Sequence, residues 1–374
     1  MLDTELKTQN PETKGTEISH FCTYFDQQFL LKGLALYRSL LRHSRPFKLY
    51  VLCLDNATFE FFNRSNLPHI LAISLQEFES GDEDLLEAKK NRSQIEYYFT
   101  CTSSFLIYIL GRFPKIDLIT YLDADLFFYS QLTPMFEELA DSSVLIVPHK
   151  FPDNLKHQEK YGIYNVGLLC FRNDKYGREC LQWWRDRCLE WCYDRVENGL
   201  FADQKYLDDW PIRFSKVVVL QHQGAGLAPW NVDSFTIKFR SGLVYIESQS
   251  LIFFHFHRLR IINPFYFIPL DRSEGTKISS ILRRDIYGPY LKELQSLMFQ
   301  FKLKSDGLIR HSREYSFFNM VRILVFGYSL FCLGPLTIQI HLEFFIRPIL
   351  FIRNLCRNIF RKCKKQNQKV VPLV

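Results

Sequence analysis

The chain of 374 residues has ten cysteines but no CxxC pair, and the cysteines are scattered along it. That spacing gives no disulfide framework and no zinc ribbon. Cys188 and Cys192, one helical turn apart, have no histidine or second cysteine pair beside them. The thiols are expected to be reduced and buried, as in a cytosolic protein. No apolar export segment opens the sequence; residues 1–17 are polar and are expected to be disordered. The sequons at Asn56, Asn63 and Asn91 then read as chance matches. Neither G-x-G-x-x-G nor P-loop spacing occurs, and no internal repeat is present. Net charge is low outside one region. Lys and Arg exceed Asp and Glu by 47 to 40, while the residues after Glu343 carry Arg347, Arg353, Arg357, Arg361, Lys362, Lys364, Lys365 and Lys369 with no acid. The body is therefore nearly neutral, and no nucleic-acid partner is expected.

What is present is apolar sequence cut into short runs. Hydrophobic residues make up 47% and charged residues 23%, the balance of an ordinary globular protein. ISHFCTYF, FKLYVLCLD (47–55), ILAISL (70–75), DLITYLD, IYNVGLLCF (163–171), VVVL (217–220) and LIFFHFH (251–257) read as strands. Helical patterns run over Gln27–His43, Gln94–Gly111, Lys175–Glu197 and Pro289–Phe301, with a surface helix in ESGDEDLLEAKKNR. Continuous apolar strands alternating with helices predict an α/β domain over residues 18–305, built on a central, mostly parallel sheet flanked by helices. The tryptophans Trp183, Trp184 and Trp191 are expected in helix core.

In such sheets ligands bind beyond the carboxyl ends of the strands. DLITYLDAD places Asp123 and Asp125 there. Two carboxylates flanking one alanine at the end of a buried run call for a counter-charge, and a divalent cation such as Mn²⁺ or Mg²⁺ supplies one. The competing reading is that they cap the next turn. His255 and His257 stand two apart in LIFFHFH and are predicted to share a face; His255 is preferred as a third ligand, with His257 the alternative. Asn165 and Gly167 fall inside a strand, where glycine marks either a bulge or the close approach of a ligand. Asp203 and Gln204 open the run DQKYLDDW, where Asp203 could equally be an N-cap. HQGAGLAPWN could bring backbone N–H groups to a phosphate or sugar.

Taken in order, these pieces resemble the GT-A-type glycosyltransferases and are most similar to glycosyltransferase family 8, over roughly residues 18–270. ISHFCTYFDQQFLLKGLALYRSLL resembles that family's opening strand and helix, which implies a uridine pocket lined by Thr23 and Tyr24. YLDAD resembles its metal element (Asp123, Asp125), YNVGLLCF its asparagine strand (Asn165), DQKYL its DQ-initiated helix (Asp203, Gln204) and FFHFH its late metal-binding histidine (His255). The resemblance implies a GT-A (Rossmann-like) fold. It also implies metal-dependent transfer of a sugar from a nucleotide diphosphate sugar to a carbohydrate or lipid-linked acceptor, with retention of configuration. Asp203, Gln204 and Asn165 would serve the reacting sugar and the acceptor. A membrane-associated carbohydrate-binding or scaffolding protein of the same fold is the alternative.

Residues 306–374 differ in composition. Ile323–Ile340 is uncharged but is split by Gly334-Pro335 and followed by the basic cluster. A span would export that cluster, so a helical extension lying peripherally on an anionic cytoplasmic membrane face is expected. A soluble subdomain or oligomer contact is the alternative.

Overall fold

The structure is a computed structural model and describes residues 18–44, 46–263, 266–268 and 279–303. The N-terminal stretch 1–17 and the tail 306–374, with the expectations attached to them, lie outside the described residues.

The chain opens with strand β1 (Ser19–Phe25), helix α1 (Leu30–His43), β2 (Phe47–Cys53), α2 (Asn56–Ser65), β3 (Ile70–Ser74) and the short helices α3 (Leu75–Glu79) and α4 (Glu83–Lys90). Helix α5 (Gln94–Arg112) then leads into β4 (Leu118–Leu122). Next come β5 (Leu126–Phe128), α6 (Thr133–Leu139), β6 (Val144–Pro148), β7 (Tyr164–Arg172) and α7 (Lys175–Glu190). After α8 (Trp210–Arg213) and β8 (Val217–Val219) follow the small strands β9 (Ile237–Arg240), β10 (Leu243–Ile246) and β11 (Gln249–Ser250). Strand β12 (Phe253–His255) and helix α9 (Gly288–Phe301) complete what is needed here.

Seven strands form one sheet in the order β3-β2-β1-β4-β7-β6-β8. The pairs from β3 to β4, and β6 with β8, are parallel; β7 runs antiparallel to both β4 and β6. The mostly parallel sheet read from the sequence is thus present, with one reversed strand in its middle. That strand brings Asn165 and Gly167 beside the end of β4.

Strand periodicity divides the core. Phe21 and Phe25 face a layer containing α1 and α9, while Cys22 and Tyr24 face α5 and α7. Trp184 of α7 is fully buried and packs edge-to-face on Trp210 at 5.4 Å, the core role expected of it. Local chemistry sets the helix starts: Asp55 and Asp174 cap α2 and α7, and Ser93 with Glu96 forms a capping box on α5.

Two helix boundaries differ by several residues from the sequence reading. Helix α1 starts at Leu30, because Asp26 closes a turn by accepting from the Phe29 amide at 3.0 Å. Helix α7 ends at Glu190, seven residues early. Trp191 turns extended, and Glu197 pairs with Leu200 around Gly199, whose φ is +77°. The seven described cysteines are all free and buried. Among the described residues no helix is long and apolar enough to cross a membrane.

Candidate active site

Strand β4 ends at Leu122, and the chain turns sharply into β5, with the Leu126 amide donating to the Asp123 carbonyl at 3.2 Å. Neighbouring strands hold this turn from both sides. The Asp123 amide donates to Gly167 of β7 at 2.8 Å, and the Phe256 amide donates to the Asp125 carbonyl at 2.9 Å. Strand β12 pairs antiparallel with β5, setting His255 opposite Leu126. Residues 125 to 131 positions apart in the chain are thereby brought into one backbone ladder.

The outcome is a cluster. Asp123, Asp125 and His255 each offer a ligand atom, all within 4.8 Å of one another. His255 Nε2 lies 3.0 Å from Asp125 Oδ1 and 3.8 Å from Asp123 Oδ2. The Tyr121 hydroxyl donates to Asp123 Oδ1 at 2.8 Å, and Lys32 Nζ sits 3.6 Å from Asp125 Oδ2. Burial works against the charge on Asp125, yet His255 and then Lys32 hold its carboxyl below the usual range. Burial pushes Asp123 up, only partly offset by His255. Burial opposes charge on His255 too, but Asp125 prevails and raises it. Two carboxylates and an imidazole converging on one point form a donor set that suits a hard or borderline divalent cation.

Gly167 is the reason the cluster can close. A Cβ there would stand 2.5 Å from Asn165 Oδ1, 3.1 Å from Asp123 Oδ2 and 3.1 Å from His255 Cε1. The glycine inside β7 lies at a register shift against β6 and makes room for the side chains of Asn165, Asp123 and His255.

Two cavities lie around this part of the fold. One, of about 610 Å³, has the acids at its base and Tyr24, Phe29, Leu54, Ile95, Tyr98 and Phe99 around it. The other, of about 680 Å³, is walled by His149, Phe151, Tyr161, Phe201 and Trp230 and carries Asn165 and Gln204. His257 lines both. It lies beyond β12, so the seven-residue strand expected over 251–257 is reduced to three. His255 and His257 both pack against Trp230, each 5.5 Å from its ring, and lie 5.7 Å from each other.

The remaining sequence candidates are dispersed. Tyr24 lines the first cavity, whereas Thr23 is fully buried in the opposite direction and does not. Asn165 Oδ1 accepts from the Gly167 amide at 2.7 Å and its amide group meets His149 Nε2 at 3.1 Å. Gln204 donates to the Tyr161 carbonyl at 3.0 Å. Asp203 is only 4% exposed, and its Oδ2 accepts from Thr102, whose Oγ1 also meets the Tyr24 hydroxyl at 3.0 Å. Asp203 caps no helix; it stands behind the cavity wall. In the glycine loop, Trp230 Nε1 and Asn231 Nδ2 both donate to the His149 carbonyl, at 2.9 and 2.8 Å. The Leu227 carbonyl accepts from the His255 amide at 2.8 Å. The loop is tied to the site through the Trp230 and Asn231 side chains and the Leu227 carbonyl.

Burial pushes the Asp203 carboxyl up to about 7, against the Thr102 hydroxyl and with Asp123. Such a group takes up a proton on folding, so its contribution to stability is full below the unfolded value of 3.8 and is lost as pH climbs through 7. Asp203→Asn is expected to gain stability relative to wild type between about pH 5 and pH 8, by a few kcal/mol at the upper end. Chemical denaturation across that range checks it; parallel curves would contradict it.

No family model matches the chain. Two proteins of Bacillus subtilis (strain 168) match it over most of their length. The uncharacterized protein YfnF is 32% identical over 253 residues, which are 66% of this chain and 83% of YfnF. The uncharacterized protein YfnD is 31% identical over 246 residues, 65% of this chain and 78% of YfnD. The chain belongs to the YfnF and YfnD family. Among solved structures, the galactosyltransferase LgtC in complex with donor and acceptor sugar analogs overlaps 76% of this chain and 100% of its own, at 15% identity and a TM-score of 0.49. The glycosyltransferase GlyE of Streptococcus pneumoniae TIGR4 overlaps 77% of this chain and 65% of its own, at 17% identity and a TM-score of 0.44. Likeness at that level does not extend to activity, so the reaction must be argued from the site of this YfnF-family chain itself.

Proposed function

We propose that this member of the YfnF and YfnD family is a GT-A-type glycosyltransferase of the family 8 kind, moving a sugar from a nucleotide diphosphate, UDP by preference, to a carbohydrate hydroxyl with retention. The observation that carries this reading is the Asp123, Asp125 and His255 cluster, which lines one cavity, with His257 next to it lining both that cavity and a second. One cavity has an apolar, aromatic wall that suits a nucleoside, with the acids at its base. The other offers amides and aromatic faces, which suit a sugar acceptor.

Asp123, Asp125 and His255 would hold Mn²⁺ or Mg²⁺, and a bound ion of that kind neutralises charge on a departing diphosphate. Tyr121 fixes the rotamer of Asp123, and Lys32 fixes that of Asp125. Asn165 ties the acid turn to His149, and through the Trp230 contact to the second cavity. Gln204, rather than Asp203, presents its side chain to the second cavity. Asp203 supports the wall through Thr102 and Tyr24.

A thermal-shift series of nucleotide diphosphate sugars, each with and without Mn²⁺, tests the reading, because a ligand bound to the folded state raises the melting temperature. The expected result is a shift for a uridine donor that requires the metal, followed by slow hydrolysis of that donor. A metal-dependent shift with neither hydrolysis nor transfer to any saccharide would leave a binding protein. No shift with any donor would remove the nucleotide site.

A further inference from the structure

Lysine is a costly residue to bury, and α1 buries one. Lys32 is 7% exposed and lies in a run whose neighbours Leu30, Leu31 and Leu34 are core. An ammonium group there requires compensation. It has two partners: Asp125 Oδ2 at 3.6 Å and the ring of Phe29, with Nζ 4.3 Å from the centroid. The lining of the acidic cavity contains three carboxylates, Asp26, Asp123 and Asp125, and no lysine or arginine among the described residues. Lys32 reaches that cavity's base from behind.

The two oxygens of Asp125 are divided. Oδ1 faces His255 Nε2 at 3.0 Å, on the side where the three ligand atoms converge, and Oδ2 faces Lys32. We propose that Lys32 is the site's own counter-charge, a positioning residue that turns one oxygen of Asp125 to the cation and holds the other back. This rests on the reading of the cluster as a cation site. A carboxylate so held binds through a single oxygen, as partners behind a metal ligand commonly enforce. It also means that the acid pair does not depend wholly on an external ion for its compensation, so the site stands assembled before the ion arrives.

The test is a double-mutant cycle on melting temperature, run without metal and with Mn²⁺. Lys32→Met is expected to lower the melting temperature of the metal-free protein, and the same change in an Asp125→Asn background to lower it much less, because the charge it served is gone. Mn²⁺ is expected to raise the melting temperature of Lys32→Met more than that of wild type, since the ion then replaces the missing charge. Should Lys32→Met alone not fold, a folded Lys32→Met/Asp125→Asn protein supports the pairing, and failure of both overturns it. Equal losses in the two backgrounds would show that Lys32 acts by packing alone. A wild type unmoved by Mn²⁺ would overturn the cation reading on which the proposal rests, and the metal-free cycle would still report the pairing by itself.

Discussion

Replacing Asp125 by asparagine is expected to lower metal-dependent turnover of the donor by on the order of a hundredfold or more, since the ion's stabilisation of a leaving group is worth several kcal/mol. The geometry explains why this acid should matter more than its neighbour. Asp125 is 7% exposed and touches both His255 and Lys32, whereas a third of the Asp123 side chain is open to the cavity. Asparagine keeps the volume and the backbone turn, so the fold should survive. What it removes is the charge that faces Lys32 and His255. Both would then be left facing a neutral amide, and a divalent ion would lose one of its two anionic ligands. Steady-state rates at saturating Mn²⁺ check this. A variant within a few-fold of wild type would mean that the acid pair does not carry the chemistry.

Gly167→Ala is the second large effect. One methyl group is a small change in most strands, but here it has nowhere to go: Asn165 Oδ1 would lie 2.5 Å from it, and Asp123 and His255 3.1 Å each. These are the groups that form the site, so relief of the clash must push them apart. Overpacking of this kind costs about 1–3 kcal/mol of stability. Because two of the three displaced side chains, Asp123 and His255, belong to the cluster, the loss of Mn²⁺ affinity should be larger, at least tenfold. Comparing melting temperature with metal titration separates the two. A variant that is destabilised yet binds metal normally would contradict the claim that Gly167 makes room for the cluster.

Much of this was legible in the sequence, for physical reasons. Strands buried on both faces, β1, β2, β4 and β7, appear as unbroken apolar runs, and a pair of acids ending such a run is conspicuous because burial makes it costly. Other parts were not. Lys32 sits in LLKGLAL, where a lysine at helical spacing reads as a solvent-facing residue; the arrival of Asp125 from the turn between β4 and β5 gives it a buried partner. His149 gives no local signal, since its carbonyl becomes a hub through Trp230 and Asn231, some 80 residues later. The pairing of β5 with β12 joins two three-residue strands, too short for any periodicity. Placing both Thr23 and Tyr24 in one pocket overlooked strand alternation, which sends adjacent side chains to opposite faces. The reversed direction of β7 leaves no mark on composition at all.

Manganese paramagnetic resonance on the purified wild-type protein, beside Asp125→Asn, probes the cluster most directly. The geometry predicts that added Mn²⁺ loses its free-ion signal in proportion to wild-type protein, to one ion per chain, and keeps it in the variant. If the signal of free Mn²⁺ persists with the wild type, or disappears equally with the variant, then Asp123, Asp125 and His255 do not hold a cation, and the transfer chemistry proposed for this site has no basis.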